Sequence, residues 1–291
     1  MSRRAQYSGR GRRRRRRSRA PIYLISAAVF LFAAGRIVMG FLSDGRNQRD
    51  NDALRQEAVS AVEPVAVEAS PMPETAKSAG ARAEPAASAS PSPTPTAAPE
   101  PTRSTAPVTA DFKKLKATNK DIVAWLYCAD SHIDYPVVYG EDNVYYLTHN
   151  ANRTETDNGA LFIDSRSEGD FSEAVTVIYG HNMETQKMFG SLNSYDTQDY
   201  YEAHPVMYLL TPDKDYQLDV VCSFYTTVDS PAFVFPCTEG SYGLLRKDIE
   251  LYSYIDSLTA LTEGEQLVCL STCGNSENER FLVIAALRAL G

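Results

Sequence analysis

QLVCLSTCGNSENERFLVIAALRA, residues 266–289, decides the reading of this chain. Two apolar runs, Gln266 to Ser271 and Phe281 to Ala289, flank a polar stretch opening at Gly274 that cannot continue the pattern. The stretch therefore reads as strand, turn, strand. Cys273 stands where the first strand gives way, a place where a side chain faces solvent while the strand holds it rigidly. Arg280 opens the second run seven residues later, so a tight loop returns it to the same rim. On spacing alone, Arg280 reads equally as a surface arginine paired with Glu277 or Glu279.

Similar short runs recur at Ile122 to Tyr127, Ile133 to Val138, Ala174 to Tyr179, Val206 to Thr211 and Tyr216 to Thr226. Seven or eight strands at this spacing predict a mostly antiparallel barrel or sandwich. Thr211 to Asp215 is a hairpin turn. Helices are expected at Asp111 to Ala117, Asp142 to Thr148, Glu184 to Tyr195, Gln198 to Ala203 and Tyr242 to Ser257. The last has Leu245, Ile249 and Tyr252 on one face. Ala110 to Gly291 thus forms one folded domain, with all five cysteines inside it.

An odd number of cysteines leaves at least one thiol unpaired in an oxidising compartment. Cys128, Cys222 and Cys269 lie within apolar strand patterns and read as inert; Cys237 follows Pro236 in a loop. Cys269-x-x-x-Cys273 has no nearby histidine pair, so neither a metal site nor a cofactor is expected. A cysteine nucleophile needs a proton partner. Among the four histidines, His181 ends the strand Ala174 to Tyr179 at a Gly180-His181-Asn182 turn, whereas His132, His149 and His204 read as surface or packing residues.

These residues, taken in order, carry a resemblance. YGHNM (179–183), LSTC (270–273) and RFLV (280–283) resemble the sortases, and NKDIVAW (119–125), IDYPV (133–137), DNVYYL (142–147) and GALFID (159–164) make the chain similar to class B. The similarity runs from about Phe112 to Leu287. It implies a mainly β fold with helices, an eight-stranded barrel preceded by an N-terminal helix, and a cysteine transpeptidase that cleaves a C-terminal sorting motif of secreted proteins after Thr. The acyl group passes through a thioester to an amine of the cell-wall precursor or, in a pilin-polymerising relative, to a pilin lysine. Cys273 is then the nucleophile, His181 the acid and base, and Arg280 the oxyanion or carbonyl donor, with the Gly274 N–H as a second donor. Asn143 and Leu147, on a helix near the groove, and Ser271 and Thr272, beside the nucleophile, would seat the peptide. Two other readings are a cysteine peptidase of another fold, which usually places Cys before His, and a non-enzymatic stalked surface-binding domain.

The remaining 109 residues are read from composition. Met1 to Ala20 holds 10 of the 29 basic residues and no acid, so the net charge of −8 is +10 joined to −18. The basic block leads into an apolar run rather than a base-reading surface, which argues against nucleic acid as partner. Pro21 to Leu42 is long enough to span a bilayer, and the arginines before it keep the N-terminus inside and the rest on the extracellular cell-wall side. A cleaved secretory signal is the alternative, although its apolar core is usually about 7 to 15 residues. Residues 43–109 contain no aromatic residue and 10 of the 16 prolines, which reads as a disordered stalk. As a coil it would span roughly 45 Å, and as polyproline up to about 200 Å.

Overall fold

A computed structural model describes residues 20–62, 105–274 and 278–291, except that the side chains of Cys273 and of most residues between 20 and 42 lie outside the described set. The basic tail and most of the Pro-rich segment are also outside it. In chain order the elements are α1 (Ala20–Ala58), β1 (Val59–Ala61), β2 (Val108–Ala110), α2 (Phe112–Thr118), β3 (Ile122–Tyr127), β4 (Asp134–Val138), β5 (Leu161–Ile163), β6 (Val175–Tyr179), α3 (Gln198–Ala203), β7 (Val206–Leu210), β8 (Asp215–Thr227), α4 (Glu239–Tyr252), β9 (Leu267–Cys273) and β10 (Glu279–Ala289).

β3 to β10 close into an eight-stranded barrel in the order β10-β8-β7-β3-β4-β5-β6-β9. Two neighbouring pairs, β4–β5 and β6–β9, are parallel and the others antiparallel, so the barrel is mixed. Its strands are buried on both faces, which is why they read as near-continuous apolar runs. Along β9 and β10, Val268, Leu270, Phe281 and Val283 fill the barrel. Leu267, Cys269, Leu282 and Ile284 point outward and are covered by α4, which contributes Leu245 and Ile249. On the opposite side, Ile122, Trp125 and Val138 pack with Leu115 of α2 and with Leu54 and Ala58 of α1.

Several expectations are corrected. Cys273 lies within β9 as its last residue, not beyond it. β5 has only three residues, too few to show alternation, and was not expected. The helix expected at Asp142 to Thr148 is a single 3₁₀ turn, Tyr145–Leu147. It is packed closely against the start of β5: Gly159 has φ +58°, and a Cβ there would lie 2.4 Å from the Tyr146 carbonyl oxygen. The helix expected at Glu184 to Tyr195 is a turn with positive φ at Gln186 and Met188, followed by a 3₁₀ stretch, Gly190–Asp196.

The largest correction concerns the stalk. Residues 43–58 are helical and docked: Asn47, Asn51, Leu54 and Ala58 are buried at helical spacing. Asp44 accepts from Asn158 (2.7 Å) and pairs with Lys187 (3.0 Å); Asp50 accepts from Asn150 (2.8 Å), and Arg55 pairs with Asp134. β1 then pairs antiparallel with β2, Val59 opposite Ala110 and Ala61 opposite Val108. The Pro-rich segment therefore leaves and returns at one place. Among the described residues no helix is long and apolar enough to cross a membrane.

Candidate active site

Strand register assembles the site. β6 and β9 are parallel neighbours with Tyr179 opposite Ser271, and the Gly180 N–H donates to the Ser271 carbonyl at 3.1 Å. Two residues further along each chain, His181 and Cys273 stand at the same height. β10 runs antiparallel to β9 and sets Arg280 directly opposite Cys273. Three residues from separate sequence motifs thus meet at one end of three adjacent strands.

A cavity of about 300 Å³ opens at this end. Phe162, Tyr179, Ser271 and Thr272 line it from the strands, Asn143 and Leu147 from the 3₁₀ segment, and Val228 and Phe233 from the chain after β8; His181, Arg166 and Arg280 complete it. His181 is half-buried and its Nε2 lies 2.7 Å from the Leu147 carbonyl oxygen. A carbonyl only accepts, so Nε2 carries the proton in this geometry and Nδ1 is the ring nitrogen left for proton exchange. Ser271 and Thr272 are 1% and 2% exposed, yet neither hydroxyl has a hydrogen-bond partner among the described residues. Unpaired buried hydroxyls lining a cavity cost free energy unless a ligand or water pairs them.

Two expected roles need adjustment. The Gly274 N–H donates to the Glu279 carbonyl at 2.9 Å, closing the β9–β10 ladder, and is therefore engaged rather than open to an oxyanion. Asn143 lines the cavity, but its carboxamide is used at both ends: Nδ2 donates to Asp164 (3.1 Å) and Oδ1 accepts from the Ser165 N–H (2.8 Å). Leu147 contributes its carbonyl to His181 as well as a side chain 38% exposed.

The sequence reading missed a buried carboxylate at the cavity edge. Asp164 is fully buried and accepts from Arg166 Nε (2.9 Å), Arg166 Nη2 (2.6 Å), the Arg166 N–H (3.0 Å), Asn143 and the Tyr179 hydroxyl (2.7 Å). Burial alone would raise its pKa, but the hydrogen bonds from Arg166, Asn143 and Tyr179 outweigh that and hold it at about 2. Tyr179 is pushed up by its burial and then by the neighbouring Asp164 charge. The guanidinium carbon of Arg166 lies 4.6 Å from the Phe235 ring centre. The GALFID motif ends on this aspartate, but its partners come from three separated segments.

The other nucleophile candidates recede. Cys128, Cys222 and Cys269 are buried free thiols, and burial raises the pKa of each. Cys237 is half-buried beside Ser241. His149 stacks on Tyr145 and His204 on Tyr200, packing roles far from a reactive pair.

Sortase B of Listeria monocytogenes is 32% identical over 173 residues, covering 59% of this chain and 70% of that protein. The chain belongs to the sortase B family. Sortase B of Staphylococcus aureus is 29% identical over 184 residues, 62% of this chain and 75% of its own. The crystal structure of that enzyme superposes with a TM-score of 0.58, covering 62% of this chain and 87% of the other. A mutant form of Clostridium perfringens sortase B gives a TM-score of 0.55 at 26% identity, covering 60% and 85%. No protein-family model matches the chain. As a sortase, this is a cysteine transpeptidase, which sets aside both the non-enzymatic surface domain and a cysteine peptidase of another fold.

Proposed function

We propose that this sortase is anchored in the plasma membrane through residues 21–42, faces the cell wall, and joins secreted proteins bearing a C-terminal sorting motif to an amine of the wall precursor. The observation carrying this reading is the meeting of His181, Cys273 and Arg280 at the rim of a cavity whose lining hydroxyls lack partners. Cys273 attacks the carbonyl carbon after Thr as thiolate; the C–N bond breaks and His181 gives its proton to the departing amine. The resulting thioester is opened by the incoming amine, whose proton passes to His181 while Cys273 leaves. Arg280 stabilises the oxyanion in both steps, and Ser271, Thr272 and Leu147 seat the peptide. An S. aureus sortase B has been solved with substrate and with triglycine, which supports a peptide donor and an amine acceptor for this relative.

Incubating the full chain in detergent with a pentapeptide library and either oligoglycine or a diamino-acid stem peptide tests the reading. Ligated product is expected from the parent, with a drop of about 1000-fold or more in Cys273→Ala, on the order of a lost nucleophile. Equal turnover by that variant would remove Cys273 from the mechanism. Protease protection of the N-terminus in vesicles checks the topology.

A further inference from the structure

Arg166 takes no part in the acyl-transfer steps, although it lines the same cavity as His181 and Arg280. Its Nε and Nη2 are held by both oxygens of Asp164, at 2.9 and 2.6 Å, and its guanidinium rests over Phe235. Nη1 has no protein partner among the described residues, on a side chain 51% exposed. The arginine is thus pinned on one edge and open on the other. Because the buried carboxylate beneath it cancels its charge, it offers directed N–H donors rather than a net positive field. Such a group suits a neutral carbonyl better than a carboxylate.

Its position fixes what it can reach. The Asp164 N–H bonds to the Val177 carbonyl at 3.0 Å, so the pinned end stands level with Val177, four residues before His181. At the rise of an extended chain this is roughly 13 Å, or three to four residues of peptide. The acyl half of the substrate is the part that stays on the enzyme through both chemical steps, so it has most need of a fixed hold.

Resting on the transpeptidase reading, we propose that Arg166 donates through Nη1 to a main-chain carbonyl oxygen of the bound sorting peptide, three or four residues upstream of the scissile bond. Asp164, saturated by donors from three segments, orients Arg166 before the substrate arrives, which lowers the entropy cost of binding. Arg166 is a positioning residue that holds the peptide's backbone independently of its side chains.

The test is a thioamide scan of a turned-over peptide, since sulfur is the weaker acceptor, on the full chain and on Arg166→Lys and Arg166→Gln. Lysine can still pair with Asp164 but lacks the second arm, so it separates peptide contact from support of the buried carboxylate. In the parent, one thioamide three or four residues upstream should raise KM about 5-fold with kcat unchanged. In Arg166→Lys, KM should already be raised about 10-fold and the same thioamide should add nothing, as a coupled pair requires. Reaction of Cys273 with a small methanethiosulfonate should keep its parental rate in both variants. The proposal is overturned if the parent tolerates every upstream thioamide, if Arg166→Lys retains the parental thioamide penalty, or if the variants lower kcat alone or slow the methanethiosulfonate reaction. A parent that turns over no peptide overturns the transpeptidase reading itself, a result distinct from these.

Discussion

The two ends of the groove are built on opposite principles. Around His181 the polar groups are under-partnered: the imidazole has one hydrogen bond, to Leu147, and the hydroxyls of Ser271 and Thr272 have none among the described residues. Around Asp164 every oxygen lone pair is answered, by donors from Asn143, Arg166 and Tyr179. The difference separates two tasks. Groups that must pair with a changing substrate are kept short of protein partners, while groups that define where the substrate lies are locked by them.

The strongest way to break this comparison is at the reactive end. Arg280→Lys keeps the charge but loses the planar fork, and kcat/KM is expected to fall about 100-fold or more, as for loss of one oxyanion donor. Steady-state kinetics with a cleaved peptide measures this, and near-parental turnover would take Arg280 out of the mechanism. At the locked end the effect is on stability. Asp164→Asn removes the charge that five donors address and should destabilise the domain by about 2 kcal/mol at neutral pH, read by urea unfolding.

The same carboxylate carries a pH signature. Its folded-state pKa, about 2, lies below the ordinary 3.8, so its contribution is complete above pH 4 and is lost as the pH falls toward 2. By linkage this amounts to about 2 kcal/mol across that window, and Asp164→Asn should abolish that part of the acid dependence. An unchanged slope between pH 4 and 2 would show that other carboxylates dominate. The smallest effect is expected away from the groove. Arg55→Ala breaks the pair with Asp134, whose arginine is 40% exposed, and should cost no more than about 1 kcal/mol without altering turnover.

Legibility in the sequence followed the same division. His181, Cys273 and Arg280 were visible because each sits where an apolar strand pattern breaks off into polar residues, and such breaks are local. Asp164 and Arg166 were not visible as a unit, since a buried aspartate differs from an exposed one only by donors brought from residues 143 and 179. Helix α1 beyond residue 42 was hidden for another reason. It docks through Asn47 and Asn51 as much as through Leu54 and Ala58, and composition averaged with the proline-rich stretch behind it concealed that stripe. β5 was too short to show a period.

The ladder between β1 and β2 has a consequence for chain length. Were 63–104 a spacer, each added residue would extend the enzyme's reach. With both ends held together at Val59–Ala110 and Ala61–Val108, the same insertion changes only the entropy of closing a loop, about 0.6 kcal/mol for a doubling of its length. The distance between α1 and the groove is then set by the side chains that dock the helix, and that segment is free to vary in length among otherwise equivalent enzymes.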